Sequence, residues 1–319
     1  MIWKRRRVGL ALGGGGARGL AHIGVLRVFE EESLPIDLIA GTSIGALVGA
    51  AFASGLGSVE MEERTLAFLE SPAFQDSALK TIKEAEAGER MTLTQKIQAF
   101  FKNQFYLAKA LFRPGMLQSE EFHPMIDYFL PDIRIEEMDI PFYAVTVDLL
   151  SGMPVVLSSG PLREAVMASC AVPGAVAPVE KDGMLLSDGG ITHLVPTSVA
   201  RGAGAEVVVS VNVGSTLEAR DAIRTAIDVY VRASNIMGHH LAEESLRDSD
   251  VVIRPDVGHL HWTDFPLATD LIAEGERAAR EKVGEVRRQS AFYRRFLRPR
   301  GARRQAGIHR PSSVENGSS

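Results

Sequence analysis

The sequence predicts an α/β fold, a three-layer sandwich in which a mostly parallel central sheet is flanked by helices. Three observations predict it. Short apolar runs recur along the chain; the first two each lead through small residues into an apolar pattern of helical spacing; and these runs are apolar throughout, as in strands covered on both faces. With 319 residues, 45% hydrophobic and 24% charged, the chain has the composition of an ordinary folded protein. A chain of this size buries enough surface to need no staple, and its one cysteine, Cys170, cannot form an internal bridge.

The first strand is expected at Arg7–Leu12, followed by glycines and by a helix from near Arg18 with Leu20, Ile23, Val25, Leu26, Val28 and Phe29 on its apolar side. Pro35 restarts the chain. A second buried strand is expected at Ile36–Ala40 and a second helix at Ile44–Ala53. The stretch from Leu38 to Val59 carries no charge and is long enough to span a bilayer. Its small and polar residues fit a buried strand, a tight turn and a buried helix better. From Ser71 to Pro114 the texture turns charged and aromatic, with Leu93, Ile97, Phe100, Phe101, Ala108 and Leu111 near helical spacing. Residues 72–115 are therefore expected to be a helical, cap-like insertion, packed on the body or covering a site for an apolar substrate.

Strands are expected again at Phe142–Leu149, Pro154–Leu157, Met184–Leu186 and Val207–Val211, with a helix at Pro161–Ser169. After Ser215, which with Glu218 forms an S-x-x-E capping signal, the chain is expected to be mostly helical to Leu297, with a short strand at Val251–Arg254. Residues 1–298 are thus assigned to one α/β domain, and 299–319 to a disordered basic tail.

A net charge of −5 and a pI near 6.0 speak against a protein that neutralises many phosphates over a whole face, so nucleic acid is not expected as a partner. The charge is uneven. Arginines crowd the segment from Arg287 to Arg310, which reads either as a solvated helix end or as a patch for anionic lipid head groups. The basic start is followed by an apolar run too short for a signal-peptide core. A cytoplasmic location is expected, with peripheral contact at the inner membrane face through the Arg-rich segment.

Three constellations could carry chemistry. Gly41-Thr42-Ser43-Ile44-Gly45 is a G-x-S-x-G between an expected strand and an expected helix, where a serine on a sharp turn needs small neighbours to project free of the sheet. The alternative is a Gly-rich helix start capped by the serine. Gly13 to Gly19, GGGGARG, also leaves a strand and enters a helix, and such a loop can turn unpaired N–H groups toward negative charge. It matches a dinucleotide fingerprint too, but Asp37, the acid at suitable separation, stands at the start of the next strand instead of its carboxyl end. No Gly-Lys-Ser/Thr follows, which excludes a Walker loop. The third constellation, Asp188-Gly189-Gly190, is by itself a turn signal. If the sheet is parallel, Asp188 and Ser43 both leave carboxyl strand ends, the edge where α/β sites gather.

No histidine completes a Ser-His-Asp triad: His22 reads as structural and His193 as a weak candidate. His239, His240, His259 and His261 lack the partners of a metal site, so no metal is expected. Cys170 reads as a small core residue.

Taken in order, GGGGARGLAHIGVL, GTSIG and SDGG resemble the patatin-like phospholipase family, over about Arg7 to Val211. Ala168 to Val179, ASCAVPGAVAPV, is also similar to the family's stretch between nucleophile and acid. The resemblance implies a patatin-like fold and a lipid ester substrate, with a Ser-Asp dyad in which Ser43 is the nucleophile and Asp188 its base. Gly14, Gly15, Gly16, Arg18 and the N–H of Ile44 would serve the oxyanion, and Gly41, Gly45, Gly189 and Gly190 complete the motifs. It implies no cofactor and no metal. One departure is His193, where many members have asparagine; it bears on the shape of the loop beside Asp188. The rival class is a lipid-binding or regulatory protein that keeps this fold with little turnover.

Overall fold

The computed structural model describes residues 5–75, 115–117, 119–217, 223 and 226–291. Among them are the strands β1 (Val8–Leu12), β2 (Leu38–Thr42), β3 (Gly115–Leu117), β4 (Phe142–Asp148), β5 (Pro154–Leu157), β6 (Gly174–Val176), β7 (Val179–Lys181), β8 (Met184–Asp188), β9 (Val207–Val211) and β10 (Val251–Ile253). Eight form one sheet in the order β10-β9-β1-β2-β4-β8-β7, with β5 also paired to β4. From β10 to β4 every pairing is parallel; β5, β8 and β7 are added antiparallel. β3 and β6 make a separate parallel pair.

The alternation of side chains along β1 sorts the layers. Val8, Leu10 and Leu12 enter one core together with residues of α1 (Ala21–Glu31), α2 (Ile44–Ala53) and the long helix Ala268–Ser290. Ala11, on the other face, joins Leu38, Ala40, Val208, Ala242 and Leu246, the last two from the helix Ala226–Leu246. The sheet is therefore covered on both sides, which is why its central strands can be apolar at every position. The uncharged stretch from Leu38 resolves into β2, a turn and α2, nearly all buried. Among the described residues no helix is long and apolar enough to cross a membrane.

Several boundaries move, each for a local reason. β2 begins at Leu38, two residues later than expected, and runs through Thr42. Asp37 stays outside it, accepting the Val8 N–H at 2.7 Å and a forked pair of bonds from Arg5 at the amino edge of the sheet. The first helix opens as a 3-10 turn, Gly16–Leu20, before α1. β8 extends past Leu186 to Asp188, so the acid ends the strand instead of following it. Ser215 does not open a helix: the Thr216 N–H is bound to the Gly258 carbonyl at 3.0 Å, and the helix begins at Ala226. The short strands β3, β6 and β7 were not expected. Most of the 72–115 insertion and the whole 299–319 tail lie outside the described residues, apart from the helical turn Pro72–Gln75 and Gly115 in β3.

Candidate active site

Ser43 stands between the last residue of β2 and the first of α2, with φ 56° and ψ −127°. A positive φ at a serine is uncommon and is held only where the surroundings over-determine it. Three contacts do so. The Ser43 N–H donates to Ser169 Oγ at 3.0 Å, the Ser169 hydroxyl donates to the Val145 carbonyl at 2.7 Å, and the Thr42 hydroxyl donates to the His193 carbonyl at 2.8 Å. The motif's glycines make the turn possible: a Cβ on Gly41 would lie 2.5 Å from Ala46 Cα, and one on Gly45 would lie 2.3 Å from the Leu12 carbonyl oxygen.

Asp188 reaches the same place by a route that parallel pairing would not provide. β4 runs parallel to β2 with Val145 beside Thr42, then continues for three residues past the carboxyl edge. β8 runs antiparallel on this overhang and ends with Asp188 opposite Thr146. The carboxyl end of β8 therefore meets the carboxyl end of β2 although the strands run in opposite directions: the sheet is mostly parallel, as expected, and Asp188 arrives on its antiparallel part.

Both side chains are nearly closed off, Ser43 being 9% and Asp188 6% exposed. Burial pushes the Asp188 carboxyl from 3.8 up to about 6, against hydrogen bonds from the Ser43 hydroxyl and the Gly190 N–H that hold it down. The Gly190 bond is 2.7 Å long. Cys170 lies close enough for the Asp188 charge to add to burial in raising its thiol well above the usual value, so it stays protonated as a core residue.

The glycine loop packs on the serine, with a Cβ on Gly14 falling 3.3 Å from Ser43 Cβ. Its amides are not equivalent. The Gly13 N–H donates to Val211 and the Gly14 N–H to Leu194, at 3.0 and 2.9 Å, so Gly14 departs from the expected role. Among the described residues, no backbone carbonyl outside the loop's own helical turn takes the N–H of Gly15 or Gly16. The Ile44 N–H, in the first turn of α2, is likewise left for a ligand by helix geometry.

Arg18 turns toward the segment 257–264, where its guanidinium donates to the Leu260 carbonyl at 3.1 Å; Nε is buried without a partner. Burial lowers its pKa to about 10, opposed by Asp264. The same segment grips the loop again, the Ala17 N–H donating to the Trp262 carbonyl at 2.8 Å. Gly16, at φ 60°, lies so close that a Cβ would fall 2.5 Å from that oxygen. His22 is fully buried with Nε2 2.8 Å from the Gly13 carbonyl oxygen, and burial lowers its pKa to about 4. It is a neutral strut of the loop. His193 bonds its neighbour Thr192 and contributes its carbonyl to Thr42. Among the described residues no group of three His, Cys, Asp or Glu is placed to hold a metal ion.

Sequence reasoning missed Ser169, Leu194 and the 257–264 segment. Ser169 lay within the quoted ASCAVPGAVAPV stretch; the other two carry no local signal, because they act through main-chain carbonyls.

The fold and site together define an α/β protein with a serine on a strand-to-helix elbow, facing a buried carboxylate beside a glycine loop. Comparison with known proteins makes the class specific. A family model described as patatin-like phospholipase matches residues 10–201, and the chain belongs to that family. It is 35% identical over 210 residues to patatin-like phospholipase domain-containing protein 7 of Rattus norvegicus, covering 65% of this chain and 14% of that one. An uncharacterized NTE family protein of Mycobacterium bovis is 34% identical over 224 residues, covering 68% and 52%. The chain thus aligns with about half or less of the length of these relatives. Among solved structures, VipD from Legionella pneumophila aligns over 88% of this chain and 67% of its own, with a TM-score of 0.41 and 12% identity.

Proposed function

We propose that the chain hydrolyses carboxylic esters of lipids, phospholipids or lysophospholipids, through an acyl-serine intermediate. The observation that carries this reading is the buried meeting of the Ser43 hydroxyl with a carboxylate whose pKa is raised to about 6. An ordinary aspartate is a feeble base for a serine hydroxyl; one poised near neutrality is better matched to proton transfer.

In this reading Ser43 Oγ attacks the ester carbonyl carbon as its proton passes to Asp188. The carbonyl oxygen gains the negative charge and is met by the N–H groups of Gly15, Gly16 and Ile44, an arrangement that contributes several kcal/mol where such donors are fixed in advance. Gly14, through Leu194, and Arg18, through Leu260, hold the loop in shape. The tetrahedral adduct collapses, the alcohol departs with the proton from Asp188, and the acyl-serine remains. Asp188 then accepts a proton from water as that water attacks, and returns it to Ser43 as the acid is released. The scheme draws on no metal, so activity is expected to persist with a calcium chelator present.

The test is hydrolysis of p-nitrophenyl esters of medium or long chains by the purified protein and its Ser43→Ala variant. The variant is expected to lose at least about 100-fold in kcat and to lose labelling by a fluorophosphonate probe. Full activity in the variant would remove Ser43 as nucleophile. Silence of the native protein toward both ester and probe would favour a lipid-binding protein on this fold.

A further inference from the structure

Helix Ala226–Leu246 is buried at one end only. Ala242 and Leu246 pack under the sheet, while Val229, Tyr230, Val231, Ile236 and Met237 are 57%, 74%, 42%, 37% and 63% exposed. Between the two halves lies Gly238, whose Cβ position is 4.0 Å from Leu194 Cδ2. Leu194 in turn touches the glycine loop and the turn after Asp188, lying 3.2 and 3.3 Å from the Cβ positions of Gly14 and Gly190. The helix therefore crosses the rim of the Ser43 site at Gly238 and carries its apolar half beyond it, for about 18 Å at 1.5 Å per residue.

Together these five side chains present on the order of 500 Å² of apolar surface, the size of the largest apolar area on a typical monomer, which is often functional. Two features say what covers it. Val229, Tyr230 and Val231 are consecutive, so at 100° per residue they spread around more than half the helix, wider than the single seam another helix would cover. The area also falls short of the roughly 800 Å² per partner that a stable protein interface buries. Apolar side chains on several sides of a helix, with a tyrosine among them, suit a phase that surrounds the helix, and a tyrosine ring is at home at a membrane–water boundary.

We propose that the amino-terminal half of helix Ala226–Leu246 is a docking arm for a phospholipid bilayer surface, seating the rim of the Ser43 site against the membrane. The inference rests on the lipid-ester reading only for its purpose; the binding itself requires no turnover. Of the charged residues beside the arm's apolar side chains, Asp228 and Arg232 cancel, so attraction to the surface is expected to be apolar and insensitive to salt.

The experiment is flotation of the full chain with phosphatidylcholine vesicles, comparing it with a Tyr230→Asp, Met237→Asp double variant. Both positions point to solvent, so circular dichroism and the melting transition are expected to be unchanged. The variant is expected to partition at least tenfold more weakly, while salt up to about 0.5 M leaves the native protein bound. A control pair on the β4–β5 turn, Leu150→Asp and Met153→Asp, is expected to bind like the native protein; those residues are 70% and 57% exposed. The proposal is overturned if the arm variant floats as well as the native chain, or if the control pair is lost from vesicles equally. It is also overturned if light scattering finds a native dimer that the arm variant splits with vesicle binding intact, since the face would then belong to a second copy. Loss of fluorophosphonate labelling at Ser43 with vesicle binding retained would strike the catalytic reading and leave the arm standing.

Discussion

Replacing Asp188 by asparagine should stabilise the protein while disabling it, and the size of the gain should depend on pH. Burial raises the carboxyl from 3.8 to about 6, roughly two units at 1.36 kcal/mol each, so ionising it in the folded state costs about 3 kcal/mol. The sign follows from linkage. An acid with a raised folded pKa burdens the fold only when it must ionise: the cost is absent well below pH 3.8, grows through the window up to 6, and is full above it. Asparagine keeps the shape, can still accept the Gly190 N–H, and carries no charge. Urea unfolding of both proteins should therefore show the variant ahead by about 3 kcal/mol at pH 7.5 and by only about 1 kcal/mol at pH 4.5. Comparing the two proteins at each pH cancels the other titrating groups. An equal gain at both pH values, or a loss at pH 7.5, would refute the claim that burial sets this carboxyl near neutrality.

Two further outcomes test how the serine turn is held. Gly45→Ala would place a methyl 2.3 Å from the Leu12 carbonyl, which is backbone and cannot swing aside; a loss of about 3 kcal/mol or failure to fold is expected on denaturation. Ser169→Ala leaves the Ser43 N–H and the Val145 carbonyl without their shared partner. It should cost about 2 kcal/mol of stability and lower kcat about tenfold with KM little changed, because the proposed nucleophile loosens; an unchanged kcat would remove Ser169 as a positioning residue.

The parts of the site legible in the sequence are those where steric need restricts the residue type. Gly41 and Gly45 could be read around Ser43 because nothing larger fits the elbow, and α2 was found at Ile44–Ala53 because its apolar residues are uninterrupted. Asp37 could be placed at the wrong edge for a ribose because it precedes its strand, and it stands there, bound to Val8 and Arg5. What escaped were contacts made by main-chain atoms: Leu194 on Gly14, Trp262 on Ala17 and Leu260 on Arg18. A carbonyl oxygen has no residue type, so no pattern announces it.

By itself the sequence determined the alternation of strand and helix, the small residues that let a serine turn sharply, and the order of the three motifs, because each depends on neighbours within a few positions. Only the tertiary structure decided that Asp188 arrives on an antiparallel strand laid on the overhang of β4. It also decided which loop amides remain unbonded, and how deeply the acid is buried. The physical reason is range. Backbone sterics and side-chain periodicity act along the chain, whereas strand register, desolvation and the pairing of an N–H with a distant carbonyl exist only once separate segments have been packed together.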